Sequence, residues 1–264
     1  MDVRTNHVSR LTNTADEERT PAFSPNGTLV AYAAGPGGFA ATHIFVQPVR
    51  RGARRQITFG QSTYDLWPRF SEDGKRITFC RAALKRPYSM GGEKWDHWDI
   101  WIVDVDGRNL SRVTKGAYYS ASSSGSCLGD TRIIYVADTG SSQDLSVWAI
   151  ERPYSASASR RLTTGSEPAC SRDGKHIVYM DDHKTAYEYE VWLMDADGTQ
   201  RKQLTSFRSY KTNPVFAIHD RQILFLSDPK AHGQPQLWRV DIQGKKLQKL
   251  AGSELFNDPL KWKP

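Results

Sequence analysis

Hydrophobic and polar positions alternate along this chain in short stretches, and the alternation returns with a period of about 40 residues. The plainest copy runs from Glu167 to Tyr179. It reads as a strand, a tight turn at Arg172-Asp173-Gly174, and a second strand alternating toward Tyr179. A third apolar run follows at Val191-Trp192-Leu193-Met194, then a turn at Asp195-Ala196-Asp197-Gly198, then a short stretch ending Gln203-Leu204-Thr205. Four strands are thus expected in about 40 residues.

The pattern recurs over about 20–58, 67–114, 119–163, 167–205 and 213–250. The second copy is the longest, with 18 residues from Cys80 to His97 between its second and third strands. In the third copy Ser122-Ser123-Ser124-Gly125-Ser126-Cys127-Leu128-Gly129-Asp130 replaces the usual first strand and turn. Each unit has two apolar faces that only neighbouring units can cover, so the units must stack in a ring. The pattern therefore predicts one all-β domain over residues 1–264: a β-propeller of four-stranded antiparallel blades, five in number. Surplus strand signals at 8–12 and 259–264 would pair the two termini and close the ring. Six blades are the alternative, with a sixth built from those two strands alone.

Composition supports a β-rich chain and narrows its partners. Aromatics make up 11% of the 264 residues, with eight Trp, and no apolar stretch reaches membrane-spanning length. The net charge is +7, but the basic residues are scattered among 29 acids. A nucleic-acid footprint needs clustered cations, so no nucleic acid or membrane partner is expected, and the charge reads as that of a soluble surface. The three cysteines, Cys80, Cys127 and Cys170, are odd in number and lack metal-type spacing. Buried thiols are expected in preference to a disulfide framework. Met1-Asp2-Val3-Arg4 has no apolar segment behind it, so the sequence fits either a cytoplasmic protein or a periplasmic or secreted one whose signal was removed.

The landmarks Pro-x-Phe-Ser-x-Asp-Gly, Ile-x-Phe/Tyr, Ile-Trp-x-x-Asp and Leu-Thr recur in register from residue 8 to 264. They resemble the PD40, or WD40-like, propeller repeat of the TolB family, which also builds the propeller domains of tricorn and prolyl-oligopeptidase-type peptidases. The resemblance implies a non-catalytic module that binds a protein or peptide, and it would favour six blades. Some propellers of similar repeat are polysaccharide lyases, so a carbohydrate-binding or carbohydrate-cleaving protein is the alternative.

Antiparallel strands place the Asp-Gly turns between strands one and two on the same face as the Asp-x-Asp-Gly turns between strands three and four. The opposite face carries the variable loops, where binding residues usually ride on a rigid scaffold. Just before the motif proline, at the mouth of the central channel, stand Thr20, Trp67, Glu167, Asn213 and Asp258, with Tyr119 (or Ser123) in the degenerate copy. Aromatics there offer stacking area, and acids and amides offer directional hydrogen bonds, though the same aromatics would equally serve to plug a channel.

Loop residues Trp95, His97, His183 and Tyr187 extend the candidate binding set, amid Lys94, Asp96, Trp98, Asp99, Asp181, Asp182, Glu188 and Tyr189. No HExxH or similar ligand spacing occurs, and Trp98 and Asp99 would serve as well to pack and cap the strand they precede. Asp104 with Asp106, and Asp195 with Asp197, fit hairpin turns better than calcium loops. No Gly-x-Ser-x-Gly elbow is present, and 264 residues filled by blades leave no room for a hydrolase domain. We therefore expect no catalytic residues, no metal and no cofactor, and a monomer.

Overall fold

A computed structural model describes residues 10–36, 41–50, 52–85, 94–95, 98–115, 121–127, 131–137, 145–154, 158–181, 189–217, 219–229 and 235–251; for 84–85, 94–95 and 121–127 it describes the backbone only. Five small antiparallel sheets are arranged as a five-bladed β-propeller. Blade one comprises β1 (Glu17–Phe23), β2 (Leu29–Gly35), β3 (His43–Pro48) and β4 (Arg55–Gln56). Blade two comprises β5 (Thr63–Phe70), β6 (Arg76–Lys85), β8 (Asp99–Asp104) and β9 (Ser111–Arg112), with β7 (Lys94–Trp95) paired to the far end of β6. Blade three holds β10 (Ala121–Cys127), β11 (Arg132–Ala137), β12 (Ser146–Glu151) and β13 (Ser159–Thr164). Blade four holds β14 (Ser166–Cys170), β15 (His176–Asp181), β16 (Glu190–Asp195) and β17 (Lys202–Gln203). Blade five holds β18 (Tyr210–Ala217), β19 (Gln222–Asp228), β20 (Gln236–Asp241) and β21 (Gln248–Ala251).

The turn landmarks work through local hydrogen bonds. In Ser171-Arg172-Asp173-Gly174, the Ser171 hydroxyl meets Asp173 Oδ1 at 2.7 Å and accepts the His176 N–H at 3.0 Å, while Gly174 takes a left-handed φ of 68°. Ser71 with Asp73 and Ser24 with Asn26 repeat the arrangement. Such short polar side chains hold a turn because they replace a backbone partner. Asp106 and Asp197 each accept the N–H two residues on, at 3.0 and 2.9 Å, as hairpin turns require.

In blades one, two and four the terminal threonine of the Leu-Thr-like landmark latches the outer strand. Thr58 Oγ1 accepts the Ile44 N–H at 2.8 Å, Thr114 Oγ1 accepts the Ile100 N–H at 3.0 Å, and Thr205 Oγ1 accepts the Val191 N–H at 2.9 Å. The hydroxyl replaces a ladder bond where the two-residue strand has run out.

Between successive blades lie four shared cores. Ala31, Ile44 and Val46 of blade one meet Leu66, Ile77 and Phe79 of blade two. Ile100 and Ile102 meet Ile133 and Tyr135; Ile134 and Val147 meet Ile177 and Tyr179; Val178 and Val191 meet Ile223 and Phe225. Consecutive residues of β11 and β15 point into different cores, which is why these strands read as unbroken apolar runs. The remaining face of blade one carries Val30, Tyr32 and Ala34. Over it lies the stretch of Leu11 and Thr12, with Gln47 Nε2 donating to the Leu11 carbonyl at 2.8 Å.

Several expectations meet a different outcome here. Arg10, Leu11 and Thr12 form no strand, and the rest of the two closing segments, 8–9 and 259–264, lies outside the described residues. The 80–97 stretch is not all loop, since β6 runs on to Lys85 and pairs with β7. Cys80 is a buried thiol outside any disulfide, as expected, but Cys170 is disulfide-bonded. Cys127 lies on β10, where only the backbone is described.

Candidate functional site

Every first strand carries one extra residue at the same place. The register slips between Arg19 and Ala22, Leu66 and Arg69, Ser123 and Gly125, Ser166 and Ala169, and Thr212 and Val215. In four blades the slip contains a proline, which has no N–H to offer a ladder and is tolerated where a bulge removes the partner. The residue before that proline is left-handed each time: Thr20 (φ 50°), Trp67 (53°), Glu167 (48°) and Asn213 (54°). This conformation costs a non-glycine L-residue about 1–2 kcal/mol, so the surrounding contacts must hold it.

Those contacts run from blade to blade. The Trp67 N–H donates to Thr20 Oγ1 at 3.1 Å, and the Asn213 N–H donates to Glu167 Oε2. A bulge frees the backbone N–H from its own sheet, and the side chain at the same position of the preceding blade accepts it. Thr20 and Glu167 therefore join neighbouring blades. Trp67 packs instead on Trp98, at 5.8 Å between ring centroids, and Trp98 meets Tyr64 edge-on at 6.1 Å. Asp99 accepts from Thr114 Oγ1 at 2.8 Å and from Arg112 at 2.5 Å. Trp98 and Asp99 thus do pack and cap.

A cavity of about 280 Å³ is lined by Trp67, Arg69, Glu167, Asn213, Tyr189 and Tyr210 among others. Lys211 supports one wall. Its side chain is fully buried, and Nζ pairs with Glu190 at 3.1 Å, donates to the carbonyls of Phe207 (2.5 Å) and Tyr189 (3.2 Å), and sits 4.2 Å from the Phe207 ring centre. Tyr189 and Tyr210 meet edge to face at 5.7 Å. Burial raises the Glu167 carboxyl above the usual carboxylate range, against the opposing pull of the Asn213 N–H and of Arg69. Burial also lowers the Arg69 guanidinium.

The native state thus holds the Glu167 proton more tightly than the unfolded chain does. Its contribution to stability falls as pH rises from the ordinary carboxylate range through the raised value. Glu167→Gln keeps an acceptor for Asn213 and removes the charge, so its melting temperature at neutral pH is expected to equal or exceed the parent's, with a flatter pH dependence. Glu167→Ala loses the acceptor and is expected to cost about 1 kcal/mol. Paired melting curves at pH 5 and pH 8 check both.

Of the residues singled out in the sequence, the structure brings Trp67, Glu167 and Asn213 to this cavity, with Thr20 one blade before Trp67. Trp95 lies on β7, where only the backbone is described. Tyr119, Asp258, His97, His183 and Tyr187 lie outside the described residues. In the degenerate blade the extra residue is Ser124. Among the described residues no three His, Cys, Asp or Glu side chains come together as metal ligands. Arg69 escaped notice in the sequence, although the x of Pro-x-Phe-Ser is Ala22, Ala169 and Val215 in the copies beginning at Thr20, Glu167 and Asn213, and Arg only in the second.

Comparison with known proteins agrees with this architecture. The TolB beta propeller domain family (PD40) matches residues 88–264. The Tol-Pal system protein TolB of Francisella tularensis subsp. mediasiatica is 25% identical over 236 residues, which are 89% of this chain and 51% of that protein. This chain spans about half the length of the curated relatives it matches. The crystal structure of TolB from Acinetobacter baumannii superposes with a TM-score of 0.71 at 20% identity, over 92% of this chain and 56% of that one. An oligogalacturonate lyase from Vibrio parahaemolyticus shares the fold more loosely, with a TM-score of 0.58 at 11% identity, over 92% and 68% of the two chains. The chain belongs to the TolB β-propeller domain family.

Proposed function

We propose that this propeller is a non-catalytic module that binds a protein or peptide on its variable-loop face, over the mouth of the central channel. The observation that carries the reading is the open cavity of about 280 Å³, where aromatic walls surround a few polar groups on a scaffold braced from blade to blade. Such a mixture gives contact area together with orientation. Family membership supports it, since relatives are named as components of the Tol-Pal system. A photo-crosslinking aromatic amino acid at Tyr210, which is 37% exposed on the cavity rim, is expected to capture a partner protein. Cleavage of an oligosaccharide that disappears in Glu167→Gln, with no protein adduct, would replace this reading with the carbohydrate-cleaving one.

A further inference from the structure

We propose that the channel mouth recognises an acidic residue of its peptide partner, the partner's carboxylate pairing with the Arg69 guanidinium. This rests on the peptide-binding reading and names the chemistry of the guest. Arg69 is half-buried on the cavity wall. Among the described residues its guanidinium makes one hydrogen bond, from Nη1 to the Pro68 carbonyl at 3.0 Å, and no ion pair. A guanidinium presents five donors in a planar fork matched to a carboxylate, so among the described residues most of its donors have no partner. The corresponding positions of blades one, four and five carry Ala22, Ala169 and Val215, so the fold itself does not call for a cation here.

The rest of the cavity fits the same guest. Glu167 Oε2 is taken by the Asn213 N–H, which leaves Oε1 to accept a further donor. A single acidic amino-acid residue supplies both complements, a carboxylate for Arg69 and a backbone N–H for Glu167. About 280 Å³ admits one or two side chains, and Tyr189 and Tyr210 wall the space. Burial makes the protonated guanidinium less favourable than in water, a penalty that an incoming carboxylate relieves. A net charge of +7 favours encounter with an acidic partner.

The test selects phage-displayed random dodecapeptides on the full chain, then measures the selected peptides by fluorescence anisotropy against the parent, Arg69→Gln and Arg69→Lys. The selected sequences are expected to share an Asp or Glu. Changing that residue to its amide, or Arg69 to Gln, is expected to weaken binding at least about tenfold, and the two changes together little more than either alone. Arg69→Lys, which keeps the charge and loses the fork, should fall between. Melting curves identify any variant that fails to fold, and the amide-substituted peptide on the unaltered protein tests the pairing without any protein variant. Peptides lost in Tyr210→Ala but indifferent to Arg69 and to their own carboxylates would overturn this proposal and leave the peptide-binding reading standing. Failure to select any peptide, with trigalacturonate binding in an Arg69-dependent way, would overturn both.

Discussion

Arg81→Ala is expected to destabilise the propeller by about 3–5 kcal/mol, the usual penalty for stranding one member of a buried ion pair. Asp65 on β5 is fully buried. Arg81 on β6 grips it through two bonds, Nε to Oδ1 at 2.7 Å and Nη2 to Oδ2 at 2.8 Å. The guanidinium is also stacked near Phe79 and Trp101, 5.4 and 5.3 Å from their ring centres. A third donor arrives from the neighbouring blade, Thr58 Oγ1 at 2.6 Å from Asp65 Oδ2. The same threonine accepts the Ile44 N–H, so the pair is tied to the latch of blade one. Without Arg81 the carboxylate keeps its burial and loses its counter-charge. The double variant Asp65→Asn/Arg81→Met should recover more than half of the loss, because no uncompensated charge remains. Urea unfolding curves decide the matter: a loss below about 1 kcal/mol for Arg81→Ala would mean that solvent, or His43 with its Nδ1 3.7 Å from Asp65 Oδ2, takes the place of the guanidinium.

Lys211→Met is expected to cost about 3 kcal/mol, the low end of the same penalty, because the Glu190 side chain keeps 18% of its exposure. The effect should also be local. Lys211 binds the carbonyls of Phe207 and Ser209, which precede it, and of Tyr189 in the neighbouring blade. Its loss releases the segment that carries Tyr210 to the cavity rim. Hydrogen exchange of residues 206–212 should therefore accelerate before global unfolding, and Glu190→Gln added to Lys211→Met should restore stability more than it restores protection. Uniform acceleration across all blades would contradict this local role.

The repeat was legible because its landmarks act locally. Ser171 and Asp173 shape their own turn, and a threonine just beyond a two-residue strand latches the strand beside it, so short windows of sequence suffice. The bulge position was legible for the same reason, as the place before a repeating proline. Its conformation was not. A residue before proline ordinarily favours extended backbone, yet Thr20, Trp67, Glu167 and Asn213 are left-handed, because the bulge and the next blade determine φ. The double duty of Thr20 and Glu167 as inter-blade acceptors depends on partners 47 and 46 residues away, beyond any local window. Asp65 and Arg81 lie 16 residues apart, on two strands whose register only the folded sheet displays. The bridge at Cys170 was hidden by a count of three, which does not say how many cysteines pair. Arg69 was within reach, as the one basic residue among Ala22, Ala169 and Val215, and an aligned reading of the Pro-x-Phe-Ser landmark would have found it.

On the proposed function the variable-loop face, and not the uniform turn face, meets the partner. Photo-crosslinking from Tyr210, at the cavity rim, is to be compared with crosslinking from Lys175, which is exposed in the turn between β14 and β15. We expect a discrete protein adduct from position 210, diminished by a molar excess of a selected acidic peptide, and none from position 175. An adduct from Lys175 with none from Tyr210 would contradict it.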